Sequence, residues 1–442
     1  CKWFPLNSGG KFRKWYGNFD KVINWENNGQ ELHNFKRAYI RNEKSYFKKG
    51  ISWTKISSSK LGVRLAPNGF IFDSAGQSLF PSGDTLYIIL GLMCSSVAYE
   101  VVKVLNPTLN FQVGDIERIP VINSDCSEEK IIEYSKNNVK LSKDDWDSFE
   151  TSWDFNTHPF VSYQHNECNL SVIYSKWNTV SNERFNHLKE HEEKINLIFI
   201  NIYGLQDELT PEVEDKDVTV RKADVERDIR SFLSYLVGVV FGRYRLDKLG
   251  LAFAGGEFNL DEFGSYKPDK DNIIPITAEH YFDDDVVSKV TELVAIIYGK
   301  DTLNENLQFI ATHIGMKDSE TPKDTIRRYF MKDFYKDHLK IYQKRPIYWQ
   351  FSSGKKGAFK GLMYLHRYDK YTLARIRTDY VLKLTTTLNQ LIEHAQVIID
   401  GNVSAKEVAR ARKEREAYEA QLQELREYDL ILKQLADQEI DL

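Results

Sequence analysis

The stretch running from Gly69-Phe70-Ile71-Phe72-Asp73 to Leu105-Asn106-Pro107-Thr108-Leu109-Asn110-Phe111-Gln112-Val113-Gly114-Asp115-Ile116 carries more information than any other part of this chain. A short β-rich piece leads into an apolar run that predicts one helix from Leu86 to Leu105. A polar loop follows, and Ile119-Pro120-Val121 reads as a short closing strand. Upstream, Val22-Ile23-Asn24-Trp25, Ile51 to Ile56 and Gly62 to Leu65 alternate like strands. Residues 30–42 read as a helix with Leu32, Phe35, Lys36 and Tyr39 on one side.

The chain has 442 residues, 42% hydrophobic and 28% charged, which leaves room for two or three domains. Its net charge of -4 is unevenly spread. Residues 1–64 hold 14 Lys/Arg against 4 Asp/Glu, whereas residues 121–442 hold 44 against 55. A basic block on an acidic body points to a polyanionic partner for the N-terminal part. The candidate contacts are Lys11, Arg13 and Lys14 after a Gly-Gly turn, then Lys48 and Lys49 before a strand. Lys55, Ser57, Ser58, Ser59 and Lys60 form a polar turn, and Arg64 sits on the next strand. Basic and hydroxyl side chains at turns can reach phosphates, which position a duplex, and base edges, which specify it.

Downstream, helices are expected over 127–149 with breaks, from Ser181 to Tyr203 with Gly204 as its C-cap, and over 222–241, 284–298, 303–314 and 322–338. Arg345 to Phe351 and Phe359 to Leu365 predict a β-hairpin. Leu384, Leu388, Leu391, Ala395 and Ile398, then Val408 to Leu435, repeat at helical spacing around Asp400-Gly401-Asn402 and predict two long antiparallel helices.

Several chemistries find no support. The four Cys, at 1, 94, 126 and 168, have no metal-ligand spacing, and no metal site is expected. An adenine amino-methyltransferase needs an Asn/Asp-Pro-Pro-aromatic loop that binds the target amino group and stacks on the flipped base. Asn106-Pro107 is followed by Thr108-Leu109. The nearest candidate for a cofactor turn, Phe253-Ala254-Gly255-Gly256, lacks a flanking strand–turn–helix pattern. Ser352-Ser353-Gly354-Lys355-Lys356 imitates the tail of a phosphate loop without its upstream Gly, so it reads as a β-turn whose Lys355 and Lys356 are free to meet phosphate. Pro268-Asp269 has no downstream acid-x-Lys partner for nuclease chemistry. No run of 18 apolar residues exists. The opening Cys1-Lys2-Trp3-Phe4-Pro5 has neither initiator Met nor signal-peptide shape, and a fragment of a longer cytoplasmic protein is expected.

Trp3-Phe4-Pro5 with Gly9 to Asn18 resembles the opening of the recognition domain in PglX proteins. So do Ser52-Trp53-Thr54, Gly69 to Asp73, Asn106 to Ile116, Ile202 to Leu205, Phe241 to Asp247, Lys344 to Trp349 with Ser352 to Ala358, Leu365 to Tyr368 and Arg375-Ile376-Arg377. The resemblance covers nearly the whole chain. It implies the C-terminal part of an adenine-specific DNA methyltransferase of type 1 bacteriophage exclusion (BREX) systems, which uses S-adenosylmethionine and works on double-stranded DNA with other phage-defence proteins.

On that basis the fold is expected to be α+β. Residues 1–122 would be a mixed α/β target recognition domain, 123–160 a connector, 161–383 a mainly α-helical body with a β-hairpin near 345–365, and 384–442 a long antiparallel helical hairpin. The methyl-transfer domain is not expected in this sequence, so no catalytic or cofactor residue is carried over. The alternative reading is an interaction module that docks other defence proteins, with DNA binding secondary.

Overall fold

The computed structural model describes residues 1–57, 60–122 and 127–440. It is α+β, with a helical body, and divides into two units. The first comprises residues 1–155 and 177–223, and the second residues 156–176 and 224–442. The first unit therefore runs well past residue 122. The helix Glu128–Trp146, expected as part of a connector, buries Ile131 in the same apolar core as Trp15, Trp53, Leu90 and Val97. Phe185, Leu188, Ile195 and Phe199 complete that core from the long helix Leu170–Tyr203.

Two small sheets build the start of the first unit. Strand β1 (Trp3–Asn7) pairs antiparallel with β2 (Val22–Asn24) and parallel with β5 (Ile71–Phe72). Strand β3 (Gly50–Thr54) lies between β4 (Val63–Ala66) and β6 (Gly76–Leu79), antiparallel to both. In register, Ile51 faces Leu65 and Ser52 faces Arg64. Alternation predicts one dry face and one wet face. Both are covered, because Ser52 and Arg64 are as inaccessible as Ile51 and Val63.

Three local expectations are corrected. The apolar run is not one helix but two, Thr85–Cys94 and Ser96–Leu105, bent by 69°. Ser95 makes the break. Its extended backbone lets Oγ accept from Ala98 N at 3.3 Å as an N-cap, while Asn196 Oδ1 takes Ser96 N at 2.9 Å. Among the described residues no single helix is long and apolar enough to cross a membrane, and this bent pair, which passes only as a pair, has Leu90, Leu92, Val97 and Val102 in the core. The helix expected over 30–42 ends at Asn34 within Glu26–Asn34, and the chain from Phe35 onward is loop. Ile119-Pro120-Val121 is not a strand; Pro120 instead accepts a hydrogen bond from the Tyr203 hydroxyl.

In the second unit the helix Val225–Val240 starts from Asp224, whose carboxylate accepts from Arg227 N at 2.8 Å, and is buried through Phe232, Leu233, Leu236 and Val237. Strand β9 (Lys360–Tyr364) lies between β7 (Ile274–Ile276) and β8 (Tyr348–Ser352). The expected hairpin is thus present, with Tyr348 opposite Tyr364 and Ser352 opposite Lys360. The helices Leu382–Asp400 and Ala405–Ala436 pack along Leu384, Leu388, Leu422, Leu425 and Leu432. Ser404 and Glu407 form the capping box that starts the second of them.

Candidate nucleic-acid interface

The basic block of residues 1–64 separates into cations inside the first unit and cations on its surface. Arg13 is 8% exposed. Its guanidinium donates to Asp145 Oδ2 at 2.8 Å, Tyr16 O at 2.6 Å, and Ser142 O and Thr219 O at 3.3 Å, and lies over the Trp146 ring. Burial alone would raise the Asp145 carboxyl, but Arg221 and Arg13 outweigh it and hold it below the ordinary carboxylate range. Lys14 is equally buried, its ammonium on Glu192, whose other oxygen accepts from Trp15 Nε1 at 2.6 Å. Arg64 is 0% exposed and donates to Thr54 Oγ1 at 3.3 Å and Ser8 O at 3.4 Å. Burial, then the nearby Arg13 charge, pushes its pKa down to about 10. These three were expected to meet DNA. Instead Arg13 ties the N-terminal turn to the helix Glu128–Trp146 and Lys14 ties it to the helix Leu170–Tyr203, while Arg64 joins β4 to β3 and to the segment after β1.

The other candidates are more accessible. Lys60 pairs with Asp217 at 2.6 Å, and Lys49 donates to Tyr87 Oη at 2.8 Å. Lys55 is half-buried, and its backbone is tied to Ala75 and Phe111. Ser57 is buried, with Oγ donating to Lys60 O at 3.2 Å, whereas Lys11 and Lys48 are exposed. Ser58 and Ser59 lie outside the described residues. Lys355 and Lys356 belong to the second unit. Their side chains are exposed, but the turn that bears them already encloses an anion. Glu424 accepts from Ser353 Oγ at 2.7 Å, Lys356 N at 2.6 Å and Ala358 N at 3.1 Å. A Cβ on Gly354, whose φ is +150°, would come within 2.5 Å of that carboxylate.

In the loop from Phe35 to Lys49, sequence reasoning singled out Lys48 and Lys49 but missed the residues before them. The loop carries Lys36, Arg37, Arg41, Lys44, Lys48 and Lys49 against the single acid Glu43. Lys36, Arg37, Arg41, Lys44 and Lys48 are exposed, and no carboxylate pairs with any of the five. Tyr39 is 83% exposed and Phe35 59%, and the Arg41 guanidinium lies over the Tyr39 ring, 4.6 Å from its centre. The loop is anchored beneath by Ile40 and Tyr46, which pack with Trp25 and Ile71. At its end, Phe47 N donates to Phe70 O and Gly69 N to Phe47 O. The positive φ of Asn42 and Phe47 turns the chain there. Surplus cations interleaved with exposed rings can neutralise phosphates and stack on bases. The clue in the sequence is the run Phe35-Lys36-Arg37-Ala38-Tyr39-Ile40-Arg41 beside the turn formers Asn34 and Asn42.

Among the described residues no group of His, Cys, Asp and Glu is arranged to hold a metal ion. S-adenosylmethionine, the cofactor implied by resemblance, finds no fit at Phe253 to Gly256. That segment lies in an irregular stretch, with no strand–turn–helix around it.

No family model matches the chain. It is 40% identical, over 454 aligned positions, to the adenine-specific methyltransferase PglX of Lacticaseibacillus casei (strain Zhang), covering all of this chain and 38% of that protein. It is 36% identical, over 474 aligned positions, to the adenine-specific methyltransferase BrxX of Escherichia coli O9:H4 (strain HS), again covering all of this chain and 38% of the relative. The chain is similar along its whole length to these two proteins, PglX and BrxX, and it spans under two fifths of the length of the curated relatives it matches.

Proposed function

We propose that this chain is the DNA target-recognition and scaffold portion of an adenine-specific methyltransferase in BREX-type phage defence. Methyl transfer from S-adenosylmethionine would be performed by another part of the protein. The observation that carries this reading is the Phe35–Lys49 loop, in a chain whose full length aligns with two adenine-specific methyltransferases. The loop would lie along duplex DNA, with Lys36, Arg37, Arg41 and Lys44 on phosphates and Tyr39 toward the bases. No Asn/Asp-Pro-Pro-aromatic loop occurs in this sequence, which supports assigning the chemistry elsewhere.

The test is duplex binding by fluorescence anisotropy across a salt series. Replacing Lys36, Arg37 and Lys44 with Ala should weaken binding and flatten the slope of log affinity against log salt by about one for each lost phosphate contact. An unchanged slope would refute the assignment.

A docking role toward other defence proteins is supported by apolar side chains left exposed on the C-terminal helices, Val397, Leu430 and Ile431. Binding through such a face would persist at high salt.

A further inference from the structure

The second unit contains an open cavity of about 480 Å3, within the usual size range of small-molecule sites. One wall is the loop carrying Phe253, Gly256 and Phe258. The two phenyl rings meet edge to face with centres 5.0 Å apart, and Gly255 and Gly256 turn the loop with φ of +126° and +90°. The Arg367 guanidinium lies flat against this wall, 3.7 Å from the centre of the Phe258 ring. Its N–H groups are committed to Phe241 O at 3.0 Å and Asp269 O at 2.8 Å, so the plane is fixed in place and still charged.

Lys270, Arg375 and His366 also line the cavity. The acids among the lining residues are already engaged. Asp271 accepts from Tyr380 Oη and Ile273 N, and Asp369 from Arg375 and Tyr371 N. Lys270 is exposed and has no ion pair. Burial, then the Arg243 charge, lowers the His366 pKa, so the ring is neutral at pH 7 and free to hydrogen-bond a heterocycle. The cavity thus joins a flat aromatic and guanidinium surface to a surplus of positive charge. A nucleotide answers both features, because its base stacks on rings and guanidinium planes and its phosphate seeks cations.

We propose that this cavity binds a nucleotide, its base against Phe253, Phe258 and Arg367 and its phosphate toward Lys270. The site is separate from the Phe35–Lys49 loop and stands whether or not that loop binds DNA.

Calorimetric titration of the full chain with dAMP tests it. Saturable binding is expected, with adenosine and inorganic phosphate each weaker by about tenfold or more. Lys270→Glu, an exposed substitution, should weaken dAMP by about tenfold or more while melting stays unchanged. Absence of saturable dAMP binding, phosphate binding as tightly as dAMP, or full affinity in Lys270→Glu would each overturn the proposal. A short single-stranded oligodeoxyadenylate then separates the two sources. Displacement of bound dAMP identifies a nucleotide within a strand, and failure to displace it identifies a free nucleotide.

Discussion

Arg13 and Asp145 stand 132 residues apart in the chain and 2.8 Å apart in the fold. Arg221 reaches the same carboxylate, with Nε 3.2 Å from Oδ1, so one buried acid is shared by two arginines from separate segments. The contact fixes the N-terminal turn to the helix Glu128–Trp146, and it shows why a count of basic residues overstates what this surface offers DNA.

Asp145→Asn should therefore cost about 3–5 kcal/mol in urea unfolding, because it leaves the buried Arg13 guanidinium without a counter-charge. The same contact sets an acid limit. The folded-state pKa of Asp145 lies below its unfolded value, so its stabilisation is complete above the unfolded pKa and fades as pH falls through the folded one. Unfolding midpoints below pH 4 should fall more steeply in the parent than in Asp145→Asn.

Two histidines act at higher pH. His338 Nε2 accepts from Ile347 N and Tyr348 N, both at 3.1 Å, and His158 Nδ1 accepts from Phe160 N at 3.2 Å. Burial pushes both pKa values down to about 3, aided at His338 by Arg243. The unfolded chain takes up these protons first, so stability is full above the unfolded pKa of about 6.5 and is lost as pH falls toward 3. With both histidines titrating, the slope approaches about 2.7 kcal/mol per pH unit. Urea midpoints at pH 7 and pH 5 in the parent and in His338→Gln measure this. Equal losses in the two proteins would exclude His338 as a source.

Tyr39 separates base contact from phosphate contact. Tyr39→Ala removes an exposed ring, so melting should not change. Duplex affinity should fall by about 1–3 kcal/mol if the ring stacks on a base, with the salt slope preserved. A loss of slope would place Tyr39's effect on the neighbouring Arg41 instead.

Leu425 is fully buried in the seam of the C-terminal helices. Leu425→Asp should cost several kcal/mol by placing a carboxylate where no cation waits. A melting temperature equal to the parent's would mean that the seam opens freely in solution.

The sequence was most legible where local pattern and tertiary role agree. The strands read at Arg345 to Phe351 and Phe359 to Leu365 flank a Ser-Gly turn and pair as a hairpin, and the leucines after Leu384 mark both long helices. It misled where a short polar residue overrides an apolar run, as at Ser95, which ends one helix and caps the next. Arg64 misled for another reason. A strand arginine beside a polar turn looks solvent-facing, but its acceptors, Thr54 and Ser8, lie 10 and 56 residues away, and the cover over that face comes from elsewhere in the chain. The Phe35–Lys49 loop was hidden by helical spacing of Leu32, Phe35 and Tyr39, two of which face solvent.

Glu424 sits in the turn between β8 and β9, bonded to Ser353 from 71 residues further along the chain. During synthesis that turn emerges long before its acid does. A ribosome adding about 5–20 residues per second leaves the Ser353–Ala358 amides pointing at water for several seconds. Until Glu424 arrives, the Ser353 hydroxyl and the Lys356 and Ala358 amides that it will bind must find their partners in water.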